Sequence, residues 1–333
     1  MRHAATAFAV VGVGLAMGAP FLLGAHAVFA GLRAISWSVF WILAASAVVS
    51  AVAKAAKLQF LQAALGVRLR FVRTFAITLV TDFAFLVSPL GAAGYGVNMG
   101  LLQRAGASWA TATTVVAADQ ALDLTFFAVA VPISLLLALP SLAQITPTFS
   151  LPVAIGVLSS LVLLACIAWA ARRRVAVLFA RARRRSPWLR AQAARWDRFR
   201  QSMHAQFALL MKGPKRRFAA LLVLTTLQWL LRYSALWFIL LELGHRLPLG
   251  FVLAVQAVVL HAALWTGVPA GGGGGDLGLA AAFAPWVPGT DMATALVLWR
   301  FATLYCPLAL GATGFAALAW RRHSRLASAS APD

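Results

Sequence analysis

The sequence predicts an all-α, polytopic integral membrane protein, and three observations carry that class: an apolar composition, several uninterrupted apolar blocks of spanning length, and basic residues gathered between the blocks. Of 333 residues, 62% are hydrophobic and 11% charged, with a mean hydropathy of +0.85. A water-soluble domain is about a quarter charged, so a single soluble core, a disordered chain and a fibrous repeat are excluded. Blocks approaching the roughly 20 residues that cross a hydrocarbon layer must satisfy their own backbone hydrogen bonds in lipid, which helices do. The short alternating segments of a membrane barrel are absent.

Apolar blocks fall at 4–24, 36–53, 74–90, 109–137, 150–171, 218–241, 250–268 and 292–320, with a shorter one at 277–287. Trp37, Trp109, Trp169, Trp286 and Trp320 sit near block ends, where amphipathic rings favour the headgroup level. The first block outlasts the usual signal-peptide core, so AHA at 25–27 is read as chain within the protein, not as a cleavage site. Cys166 and Cys306 both lie in apolar blocks and are expected to be packing residues; no metal site and no cofactor are expected.

Charge sets the orientation. The chain carries 29 Lys and Arg against 8 Asp and Glu, a formal +21, and fifteen of the basic residues lie between Arg172 and Arg217 with a lone acid, Asp197. Basic residues beside spanning helices mark the cytoplasmic side and are drawn to anionic lipid. No recognition motif accompanies them, so nucleic acid is not an expected partner. Lys54, Lys57, Arg68, Arg70 and Arg73 are assigned to a second cytoplasmic loop at 54–73, and Arg321, Arg322 and Arg325 to a cytoplasmic tail. Both termini are then cytoplasmic, in a cell inner membrane, while the uncharged loop at 138–149 is external.

Alternation fails on this assignment, because two apolar blocks separate 54–73 from 138–149 where an odd number of crossings is required. Block 74–90 runs into SPLGAAGYG, whose Pro and Gly disfavour a continuing helix. Residues 71–108 are therefore read as a re-entrant hairpin from the inside. By the same count 250–290, broken by VPAGGGGGD, is a second hairpin from the outside, leaving about six full spans. The hairpins resemble each other. Pro89, Gly91 and Gly94 match Pro269, Gly271 and Gly274 at an offset of 180, with Gly273 in the second turn. GASWATA at 106–112 matches GTDMATA at 289–295, with Ser108 and Asp291 as equivalent N-cap candidates. Opposite entry makes this an inverted repeat, as in transporters whose broken helices meet near the midplane. Two membrane halves, 1–171 and 218–333, would flank the basic segment 172–217.

VPAGGGGGDLGLAAAF at 268–283, followed by ATALVLWRFATLYCPLALG at 293–311, resembles the transmembrane region of lysylphosphatidylglycerol synthases and the wider flippase-like membrane family. Pro269, Gly271, Gly273, Asp276 and Arg300 fall on its Pro-Gly-Gly turn, its acid and its embedded arginine, and SPLGAAGYGVNMGLLQRAGAS resembles its first Pro/Gly segment, with Arg104 at the position of its usual basic residue. Departures are Ala270 for Gly, Asp276 for the usual Glu, and Gly272, Gly274 and Gly275 for larger residues. The synthases' soluble aminoacyl-transferase domain has no counterpart in these residues, so aminoacylation is not expected. The resemblance implies handling of a lipid between leaflets, with anionic phospholipid, hopanoid or polyprenyl-linked lipid as partner classes.

Acids inside apolar blocks are the scarcest feature. Asp119 and Asp123 lie one turn apart on one helix face, and Arg300 lies at a matching depth of the second long helix, so Arg300 is expected to pair with one of them along a headgroup path. A structural ion pair is the plainer alternative. Asp82, Arg104 and Asp276 are further path candidates, the last beside amides that a glycine run leaves open. His261 suggests a hydrogen bond between helices, Arg232 either a phosphate ligand or a packed cation, and Glu242 with His245 an interfacial pair lacking a third metal ligand. Two other functions compete with lipid translocation: a prenyl or lipid transferase using the Asp119 and Asp123 DxxxD spacing, which lacks a second acid cluster, and a scaffold recruiting a partner through its basic loop.

Overall fold

Apolar blocks without water to bond their backbone become helices, and every regular element among the described residues is helical. A computed structural model describes residues 14, 18, 25–88, 91–145, 187–264, 268, 269 and 272–316. In chain order the helices are α1 (Ala25–Ala34), α2 (Trp37–Ala64), α3 (Phe71–Val87), α4 (Ala92–Arg104), α5 (Trp109–Ile145), α6 (Pro187–Met211), α7 (Lys215–Glu242), α8 (Leu249–Leu264), α9 (Gly274–Phe283) and α10 (Gly289–Arg300). The last continues through a π-helical turn at Phe301–Tyr305 to residue 316.

Four helices are long and apolar enough to cross a membrane: Trp37–Ala64, Trp109–Leu137, Lys215–Glu242 and Gly289–Ala316. Each coincides with an expected span; of the other two, 150–171 lies outside the described residues and 4–24 does so except at residues 14 and 18. In the last span 56% of the apolar window is buried, against 22% to 33% in the other three, so α10 is the innermost. Trp37, Trp41, Leu124 and Val223 are among the large side chains left exposed, which is what helix faces turned to lipid present.

Between the long helices stand two pairs of short ones. α3 and α4 have 17 and 13 residues, α8 and α9 have 16 and 10, and each pair folds back on itself. Gly91 makes the first turn at φ 67°, in the left-handed region that costs any other L-residue energy, and Gly273 starts α9 at φ 73°. Gly94 faces the Phe85 ring so closely that no side chain fits, while Tyr95 meets that ring edge-on at 4.8 Å. Ser108 caps α5 as expected, accepting the Thr111 N–H at 3.0 Å. Asp291 does not cap α10: the helix begins at Gly289, and Asp291 in its first turn bonds His245 at 2.8 Å instead.

The order long, short, short, long occurs twice, in α2 to α5 and in α7 to α10. The first helices of the two sets, α2 and α7, each have 28 residues, begin 178 positions apart and form the most extensive contact in the molecule. They run antiparallel. Val39 and Leu43 of α2 share a core cluster with Leu236, Ile239 and Leu240 of α7, whereas Leu58 and Leu61 pack with Leu221 at the other end. Ser46 donates to the Leu231 carbonyl and Ser50 to that of Gln228, each at 3.0 Å, stitching the crossing.

One expectation is corrected here. α2 does not end near residue 53 but runs to Ala64, so Lys54 and Lys57 belong to that helix and not to a cytoplasmic loop, because carboxylates of α3 and α5 compensate both ammonium groups within the protein. Residues 25–27 open α1, whose Val28 packs against Ala293 and Val297 and whose Gly31 lies against Thr294 of α10.

Candidate functional site

Charge in an apolar interior is retained only where another charge or a hydrogen bond compensates it, and three such clusters occur among the described residues. In the first, Arg300 of α10 meets Asp276 of α9 as a bidentate pair, Nε to Oδ1 at 2.7 Å and Nη2 to Oδ2 at 2.6 Å. Both residues are almost fully buried. Asp276 Oδ2 also accepts the Gly273 N–H at 3.2 Å, so the carboxylate closes the glycine turn, meets the positive end of α9 and ties the short helix to the innermost span. The Arg300 guanidinium lies 4.7 Å from the Trp299 ring centre.

In the second cluster Lys57 of α2 is wholly buried between Asp119 and Asp123 of α5, 2.7 Å from each. Trp229 of α7 donates its indole N–H to Asp123 at 2.9 Å. The expected pairing of Arg300 with Asp119 or Asp123 is thus replaced: the aspartates hold Lys57, and Arg300 holds Asp276. One-turn spacing does put both aspartates on a single face, as anticipated, and that face receives the α2 ammonium. Lys57 was the missed residue. Its signal was the apolar run continuing past it through Leu58 and Leu61.

The third cluster opens into a cleft. Lys54 of α2 is ion-paired with Asp82 of α3, and both border a narrow, open cleft between α2, α3, α7 and the continuation of α10. Ser46, Ser50, Gln228, Arg232 and Thr303 supply further polar lining; Leu79, Ala302 and Leu310 supply apolar walls. Arg232 lies 5.9 Å from the Trp229 ring centre and donates from Nη2 to the Thr303 carbonyl at 3.4 Å. Pro307 has no N–H to give that carbonyl four residues upstream. Gln228 is 4% exposed, and among the described residues its Oε1 has no hydrogen-bond partner.

Other candidates lie elsewhere. Arg104 is exposed in the last turn of α4. Pro89 and Gly271 fall outside the described residues, while Pro269 is buried just before the Gly273 turn. His261 bonds the Ala257 carbonyl of its own helix and meets Phe127 edge-on, so it is no hydrogen-bonded bridge between helices there. Glu242 is exposed at the end of α7. Among the described residues no three His, Cys, Asp or Glu side chains gather as a metal site.

Long apolar spans, broken short helices between them and compensated interior charges define a polytopic, all-α membrane protein. The chain belongs to the family described as the lysylphosphatidylglycerol synthase TM region, whose model matches residues 9–311. It is also 23% identical over 267 residues to a UPF0104 membrane protein of Archaeoglobus fulgidus, covering 78% of this chain and 80% of that protein.

Proposed function

We propose that this protein carries polar lipid headgroups between the leaflets of the inner membrane through the cleft between its two halves, 1–171 and 218–333, while acyl chains remain in the bilayer. One observation carries the reading: a charged and polar cleft lies where α2 crosses α7, inside a molecule whose helix exteriors are apolar. The broken pairs α3–α4 and α8–α9 are re-entrant hairpins entering from opposite faces, which makes the halves an inverted repeat. The antiparallel packing of α2 on α7 supports this, since helices related by inversion must run in opposite directions. The basic segment 172–217 faces the cytoplasm with both termini, and anionic phospholipid, hopanoid and polyprenyl-linked lipid are the candidate cargoes.

The transferase alternative loses support from Lys57, whose ammonium sits where a divalent cation would have to bind Asp119 and Asp123. A lipid path is tested by reconstituting the full chain in vesicles of phosphatidylglycerol and phosphatidylcholine with a trace of headgroup-labelled lipid, then adding an impermeant quencher. Label from the inner leaflet should become quenchable in protein-containing vesicles. Equal protection with and without protein refutes the reading.

A further inference from the structure

The spacing of 178 that relates the starts of α2 and α7 also relates Ser50 to Gln228, and these two matched residues touch, the Ser50 hydroxyl bonding the Gln228 carbonyl at 3.0 Å. Contact between matched positions of antiparallel helices is what a two-fold axis through the crossing produces. One turn further along each helix stand Lys54 and Arg232, again 178 apart. They lie about 6 Å to either side of the crossing along the helix direction, and both line the cleft. The matched cations are treated differently. Lys54 has Asp82, but the residue 180 positions after Asp82 is Ala262, and among the described residues Arg232 has no carboxylate partner. Its polar contact is a long bond to a backbone carbonyl. Beside it, the Gln228 amide oxygen is buried without a donor.

Resting on the lipid-path reading, we propose that Arg232 anchors a phosphate-bearing lipid headgroup in this cleft, with Gln228 Oε1 accepting from a hydroxyl or ammonium of the same headgroup. A guanidinium fork matches phosphate oxygens in a way that a single carbonyl does not, and a cation among apolar walls is strongly favoured by an anion. Lys54 is the matching second cation, held by Asp82 against the same anion.

Binding of short-chain phosphatidic acid to the purified full chain in detergent, followed through Trp229 and the other tryptophans or by calorimetry, tests this. Dihexanoyl phosphatidic acid should bind, and dihexanoyl glycerol should not. Arg232→Gln should weaken binding about tenfold to a hundredfold, Arg232→Lys less, and Asp82→Asn should tighten it by freeing Lys54. Arg246→Gln, exposed in the turn after α7 and away from both the cleft and the basic segment, should leave it unchanged. Unaltered affinity in a monodisperse Arg232→Gln protein overturns the proposal, as does an equal loss in Arg246→Gln. Inorganic phosphate binding as tightly as the phosphatidate also overturns it, by making the ligand a free anion. Translocation by wild type with normal binding in Arg232→Gln would refute this site alone; Arg232-dependent binding without translocation would refute the transport reading alone.

Discussion

Replacing Lys57 by Met should damage this protein far more than replacing either of its partners. One ammonium between two carboxylates gives the cluster a formal charge of −1, with all three groups nearly or wholly buried and both contacts at 2.7 Å. Lys57→Met keeps the apolar stem volume but leaves two carboxylates one turn apart with no cation, and removing one side of a buried pair costs about 3–5 kcal/mol. Asp119→Asn leaves the hydrogen-bonded Lys57–Asp123 pair with no net charge and removes an ion contact that is not itself a hydrogen bond, so its cost should stay within about 1 kcal/mol, the usual worth of one hydrogen bond. Asp123→Asn should fall between, because the Trp229 N–H also loses its charged acceptor, a bond worth about 1.5–3 kcal/mol. Unfolding of the purified protein in mixed micelles with rising dodecyl sulfate, followed by tryptophan fluorescence, gives the order. A Lys57→Met protein as stable as Asp119→Asn, or Asp119→Asn as the most damaged, would refute the account of the cluster.

The Arg300–Asp276 pair yields a compensation experiment. Asp276→Asn strands a buried guanidinium and should cost about 3–5 kcal/mol, whereas the double variant Asp276→Asn, Arg300→Gln should recover most of that in the same assay; no recovery would remove the pair as the reason for burying both residues. Orientation is read by single cysteines placed at the exposed positions 104 and 242 in a chain with Cys166 and Cys306 changed to Ser. An impermeant thiol reagent on intact cells should label only 242, and labelling of 104 from outside would restore ordinary alternation and cancel the inverted repeat.

The spans and the breaks between them were readable because lipid imposes a blunt constraint: apolar length makes helix, and SPLGAAGYG or GGGGGD interrupts it. Pairing was less readable. Lys54 and Lys57 were assigned to a loop because a cation following an apolar block ordinarily marks the water boundary, and only Asp82, Asp119 and Asp123, brought near by folding, make it favourable to carry these lysines inward. Arg300 and Asp276 were each singled out, yet their union depends on how α9 folds back on α10, which no local spacing specifies. Gln228 carried no signal at all in the chain. Its importance comes from standing opposite its own counterpart, and matched helix starts had to be seen before that correspondence could be drawn.

The proline at 307 gives the innermost helix an unusual property. It withholds the amide proton that an α-helix would give the Thr303 oxygen, and that oxygen accepts a long 3.4 Å contact from Arg232 of α7. On the proposed anchoring role of Arg232, that oxygen is a resting ligand, strong enough to keep the guanidinium aimed into the cleft and weak enough to be exchanged for a better one. Loading such a cleft requires no ion pair to be broken, and unloading it returns the arginine to a partner already in position.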